Sequence, residues 1–376
     1  MVSEPGLDLD LLIAEGVYDP AAPRADERLA LLEHLRAAGA STEQIIAAAK
    51  ENQLASVGAD QVMFDIGEAT TIAELAGRIG TPIEKVMRIR LAGGFPAEPS
   101  STVPEWVADD VAGFNLAAGT FGEPALLAFT RVMGSAASRI AEAGLALFLS
   151  EVESGLGEPG VTELDRAMAV EQATGLLDVI SVIVRHLLRE HLMMAVRRQR
   201  ATEQSGPIAA GALIGFVDLV ASTEWAAGRT LRAQAEAIGL FESAAWEIAT
   251  RRRGRIVKLI GDEVMYTSSD PVDACLIALE LCSAVEAEPS LPAARGAVGL
   301  GDVYYRDGDF YGQPVHLVAR AVKAASPGSV VVTAELAAAC QQIDAVDVVF
   351  ASLGDHWMRG IDAPVPLFRV TEALAL

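Results

Sequence analysis

The chain changes its sequence pattern once, near residue 200, and that change confines it to two folding units of different class. Before it, apolar residues recur with helical spacing in sequence rich in Ala, Leu, Glu and Arg, with little β-branched alternation. After about residue 211, apolar or alternating runs (ALIGFVDLV, RIVKLI, EVMYT, ARGAVGLGDVYY, SVVVT, VDVVF and PLFRV) interleave with helical stretches at 228–250, 271–287 and 313–325. The expectation is an all-α domain over 1–205 followed by an α/β or α+β domain over 206–376. The basic and then polar segment 194–207 ends in Ser205-Gly206-Pro207, which marks the linker. With 376 residues, each half is long enough to bury its own core.

In the first half, ERLALLEHLRAAG (27–39) and STEQIIAAAKENQ (41–53) each read as a short amphipathic helix, the second opened by a capping box of Ser41 and Gln44. Thr162, with Asp165 three residues on, caps a further helix expected to form a long linker helix near 162–200. Leu176, Ile180, Ile183 and Leu187 fall on one stripe of it. That stripe suits either a core helix of the first domain or an arm that pairs two chains. TTIAELAGRIGTPIEKVMRIRL (70–91) reads as helix, turn and helix, with Lys85, Arg88 and Arg90 in its second part. It is a helical hairpin packed into its own domain or, in a nucleotide-sensing regulator, a DNA-reading element.

Charge and composition narrow the partners. The balance of 29 basic and 51 acidic residues leaves a net charge of −22, which excludes bulk attraction to nucleic acid or an anionic bilayer. The apolar stretch 173–184 is interrupted by Asp178 and followed by Arg185, His186 and Arg189, so no membrane span is expected. An acidic N-terminus without an export signal, and three cysteines (Cys275, Cys282, Cys340) lacking metal or disulfide spacing, fit a reduced cytoplasmic setting.

Three segments of the second half carry chemistry. GFVDLVAST (215–223) ends an apolar strand with Asp218, followed by a small-residue turn whose N–H groups suit a phosphate. RIVKLIGDEVMYT (255–267) is a hairpin with Asp262 at its tip and Lys258 on an otherwise apolar strand. In DGDFYGQPVHLVARAVKAASPG (307–328) Asp309 follows a turn, and His316 and Arg320 share one helix face. Two carboxylates can hold hard divalent cations against ATP phosphates.

Together these segments resemble the catalytic domain of the class III nucleotidyl cyclases, with a ferredoxin-like fold, and the helical half resembles the regulatory domain of the mycobacterial-type soluble adenylyl cyclases. FVDLVAST, KLIGDEVM and DFYGQPVHLVAR occur in the family's order and spacing. The resemblance implies an adenylate cyclase that binds ATP and two divalent cations, Mg²⁺ or Mn²⁺. Asp218, Asp262 and the Leu219 carbonyl would be metal ligands, and Lys258 and Asp309 would read adenine. Val220, Ala221, Ser222 and Thr223 would hold phosphate, Arg320 would stabilise the transition state, and His316 stands where the family carries a ribose-orienting asparagine. It also implies a head-to-tail homodimer, because each motif occurs once and the family builds its site from both subunits. A cyclase fold retained only as a nucleotide switch is the inactive alternative.

Overall fold

Caps written into the sequence start several helices of the first unit, in a computed structural model that describes residues 7–57, 69–152, 160–175, 177–201, 208–343 and 347–373. The chain divides into compact units at 1–197 and 198–376. The expected linker Ser205-Gly206-Pro207 lies outside the described residues, as does Leu176.

In the first unit, helices α1 (Leu9–Ala14), α2 (Ala25–Ala37) and α3 (Thr42–Lys50) enclose a core of Leu12, Leu31, Leu35 and Ile45. The Ser41–Gln44 capping box is present at the start of α3. A second helical group comprises α4 (Ile72–Ile79), α5 (Ile83–Ala92), α6 (Val107–Phe121) and α7 (Glu123–Glu151), packed on Ile72, Leu75, Val86 and Phe114. The 70–91 segment is therefore a helical hairpin that buries its apolar face in its own unit. Lys85 and Arg88 both pair with Glu123. This half is not wholly helical, since β1 (Ala69–Thr71) and β2 (Thr102–Pro104) form a short antiparallel ribbon.

Helix α8 (Glu163–Gly175) begins at Thr162, whose hydroxyl accepts from the Asp165 N–H at 3.1 Å. His34 on α2 lies 2.7 Å from Glu171 on α8. In α9 (Leu177–Ala201), Ile183 and Leu187 are 50% and 51% exposed, so their stripe is not the core of its own domain. By length and composition alone, α7 and the 163–200 segment are long and apolar enough to cross a bilayer. Isolated charges interrupt both, but averaged along a helix the Ala, Leu and Ile between them outweigh those charges.

The second unit is a mixed α/β domain built on one sheet. Strands β3 (208–219), β4 (Arg255–Ile260), β5 (Glu263–Ser268), β6 (Ala294–Arg306), β7 (Asp309–Tyr311), β8 (Val330–Thr333), β9 (Val348–His356) and β10 (Val365–Glu372) compose it. Their order is β4-β5-β3-β6-β8-β10-β9, with β7 paired to β6, and only β6 and β8 run parallel. Helix α10 (Ser222–Ala226) follows β3. Helices α11 (Leu231–Arg251), α12 (Pro271–Glu286) and α14 (Ala334–Gln342) supply Phe241, Leu281 and Leu336 to the core on one face. Helix α13 (Gln313–Ala321) covers the other face with Val315 and Val318. Glycines in β6 let α13 lie against the strand: a Cβ at Gly299 would sit 2.5 Å from Val318 Cγ2, and one at Gly301 would sit 2.6 Å from Pro314 Cγ. All three cysteines are free and buried.

Candidate active site

Strand β3 is the apolar centre of the sheet, and its carboxyl end is where charge first appears. Asp218 is opposite Glu263 of β5 and opposite Arg295 of β6, so one row across three strands carries acid, acid and base on the face covered by α13. Arg295 binds Asp218 Oδ2 through Nη2 at 2.9 Å and Nε at 3.2 Å. The Leu219 N–H donates to the Asp262 carbonyl at 3.1 Å, which ties the β4–β5 hairpin tip to the end of β3. Burial, reinforced by Asp218 and then Asp262, pushes the Glu263 carboxyl up to about 7.

Sequence reasoning missed Glu263 and Arg295. The signal for Arg295 was available: it is a charged residue opening the apolar run ARGAVGLGDV, the same anomaly that drew attention to Lys258.

Lys258 meets Asp309 at 2.5 Å, and Asp309 Oδ1 accepts from the Phe310 N–H at 2.8 Å. A β-bulge makes this pair possible. Ile256 pairs with Tyr266, whereas Lys258 pairs with Met265, one residue out of step. Tyr266 belongs to the three-helix face and Met265 to the α13 face. Without the bulge Lys258 would share the face of Ile256 and point into the helix-covered core. Beside this pair Arg255 lies over the Phe310 ring at 5.5 Å, and burial lowers its pKa.

The turn after Asp218 is tight. Ala221 takes φ +53°, a left-handed conformation that favours glycine. The Val220 N–H is already committed to the Ala293 carbonyl at 2.7 Å, so the Val220 amide has no free donor for a phosphate. The amides of Ser222 and Thr223 open α10, where a helix leaves its first N–H groups without intrahelical acceptors.

His316 and Arg320 line one cavity of about 320 Å³ with Gly312, Gln313, Gly360 and Ile361. Arg320 has no ion pair or side-chain hydrogen bond among the described residues. Within one chain the predicted residues thus gather as three groups: Asp218 with Asp262, Lys258 with Asp309, and His316 with Arg320. No hydrogen bond or ion pair joins these groups among the described residues.

No cluster of three or more His, Cys, Asp or Glu side chains suited to a metal occurs among the described residues. The donor set at the β3 end nevertheless fits a hard cation that takes its remaining ligands from phosphate and water. Three carboxylates, Asp218, Asp262 and Glu263, lie close enough for the first two to raise the pKa of the third, a repulsion that a divalent cation relieves.

The family described as adenylate cyclase regulatory domain matches residues 8–199, just over half of the chain. The chain belongs to this family. An uncharacterised protein of Mycobacterium tuberculosis is 28% identical over 97% of this chain and 95% of its own length. A pH-sensitive adenylate cyclase of the same species is 27% identical over 92% of this chain and 88% of its own length. Among solved structures, the adenylyl cyclase CyaB of P. aeruginosa aligns with 44% of this chain and 96% of its own, at 18% identity and a TM-score of 0.40. This member of the adenylate cyclase family pairs its N-terminal regulatory-type domain with a class III cyclase-type catalytic domain, related to the mycobacterial and actinobacterial enzymes.

Proposed function

We propose that the chain converts ATP to 3′,5′-cyclic AMP and pyrophosphate at two equivalent sites of a head-to-tail homodimer, under control of its helical half. The observation that carries this reading is the Lys258–Asp309 pair, a donor and an acceptor brought to one point at 2.5 Å. Adenine presents an exocyclic amine that donates to Asp309 and a ring nitrogen that accepts from Lys258. Guanine presents the reverse pattern, so ATP is favoured over GTP.

The reaction joins the ribose 3′-oxygen to the α-phosphorus as the bond to the β-bridging oxygen breaks; pyrophosphate leaves and the 3′ proton passes to solvent. Two divalent cations, Mg²⁺ or Mn²⁺, held through Asp218, Asp262 and the Leu219 carbonyl, would ease loss of that proton and neutralise the triphosphate. Arg295 holds Asp218 at 2.9 Å and is a cation at the same strand end to which an arriving phosphate can turn. The amides of Ala221, Ser222 and Thr223 face the same end of β3. Arg320, whose guanidinium has no ion pair or hydrogen bond among the described residues, stabilises charge on the transferring phosphoryl group, and His316 orients the ribose through one ring N–H.

The dimer is supported by the single copy of each motif and by the absence of any hydrogen bond or ion pair between the Asp218 group and Arg320 among the described residues. The exposed apolar stripe of α9, with Arg185, Arg189 and Glu190 between its apolar residues, suits pairing with a second chain better than lipid. Free buried cysteines are in keeping with a cytoplasmic enzyme. The test is cyclic nucleotide formation by the full chain with Mn²⁺ or Mg²⁺, with ATP and GTP compared and Asp262→Ala as control. Cyclic AMP that vanishes in the control is expected; metal-independent product, or none, rejects the reading.

A further inference from the structure

We propose that Gly360 is a positioning residue for Arg320: the bend between β9 and β10 gives the guanidinium a floor that only a residue without a side chain leaves open. This rests on the reading of Arg320 as the arginine that meets the reacting phosphate. Arg320 sits in the last turn of α13, exposed, with no ion-pair or hydrogen-bond partner among the described residues. No ion pair or hydrogen bond among the described residues fixes its long side chain, which loses rotamer entropy when held. A charge that must meet a reacting atom cannot be left to wander, so packing has to restrict it.

Gly360 supplies that packing. A Cβ built on it would stand 3.1 Å from Arg320 Nη1, 3.4 Å from Nη2 and 3.6 Å from Cζ, so the guanidinium lies in the space that a side chain at this position would enter. Gly360 also takes φ +74°, a conformation that side chains disfavour. The bend is anchored to the helix that carries Arg320. Met358 packs against the cluster containing Val315, Val318 and Ala321, and the Ile361 N–H donates to the Met358 carbonyl at 3.1 Å. Gly360 and Ile361 share the cavity with His316 and Arg320.

The arrangement has a chemical advantage. Asp218 and Lys258 are each held by an ion pair that substrate or metal must open. A carboxylate under Arg320 would hold it more firmly but would compete with the triphosphate for its N–H donors. An apolar backbone neighbour without a side chain limits where the guanidinium can go and takes none of its donors.

Two full-length variants separate contact from backbone strain. Asn tolerates positive φ, so Gly360→Asn keeps the bend while its Cβ still meets Arg320; Gly360→Ala imposes both effects. In both, kcat is expected to fall about tenfold or more with KM for ATP unchanged, the cost of a misplaced group that acts only in the transition state. Wild-type kcat in either variant, recovery of kcat in Gly360→Asn alone, or a rise in KM with kcat unchanged overturns the proposal. An activity-independent readout is the rate of phenylglyoxal modification at Arg320, followed by peptide mass spectrometry without nucleotide. It is expected to rise severalfold in both variants, and an unchanged rate also overturns the proposal. Failure of the wild-type chain to cyclise ATP would instead remove the role of Arg320 and leave the labelling result to decide the contact.

Discussion

Ala221 holds the turn after β3 in a left-handed conformation at φ +53°, which costs an L-residue about 1 kcal/mol relative to glycine. Ala221→Gly is therefore expected to raise unfolding stability by about that amount, read as a shift of the urea midpoint at constant slope. Glu263 stores free energy of a different kind. Its folded value of about 7 lies above the ordinary 4.5, so the folded chain binds this proton more tightly than the unfolded chain. Below pH 4.5 both states carry the proton and nothing is lost; between 4.5 and 7 the unfolded chain releases it first, and above 7 the full cost stands. In the metal-free chain Glu263→Gln should add about 1–3 kcal/mol at pH 8, a figure at the low end if solvent screens the site, and little at pH 4.5. Thermal melts with a chelator at both pH values check this, and equal gains at the two would contradict it.

Elements, rather than single side chains, bring the groups to their places. The bulge in β4 turns Lys258 onto the α13 face, and the glycines of β6 let α13 carry His316 and Arg320 close over the sheet. Gly299→Ala forces a Cβ to 2.5 Å from Val318 Cγ2, so α13 must lift or the strand must bend. The expected cost is about 1–3 kcal/mol, with reduced turnover because Arg320 moves with its helix. Chemical denaturation beside a cyclase assay measures both, and a variant of native stability would mean that α13 has room the structure does not give it. In the first unit, α7 and α9 carry apolar residues that stay exposed, among them Leu145, Leu147, Leu187 and Leu188; those faces are written in the sequence, but what covers them is not.

At the scale of the whole molecule, each motif occurs once and no hydrogen bond or ion pair joins the acidic groups to Arg320 among the described residues, so activity should need two chains. Arg320→Ala alone should lose on the order of 10³-fold or more in kcat with its fold intact. Mixing it with Asp218→Ala chains should restore up to one working site per mixed dimer, measured as cyclic AMP formation well above either variant alone. Additive residual activities would reject the shared site. Helical periodicity up to residue 200, the strand and helix alternation after it, the capping boxes and the three motif segments were all legible in the sequence, because each depends on neighbours within a few residues. The pairing of Arg295 with Asp218, the crowding that raises Glu263, the face to which Lys258 points and the exposure of the α9 stripe were not. Each depends on strand register or on packing between segments far apart in the chain, and a one-residue shift of register moves every side chain to the opposite face.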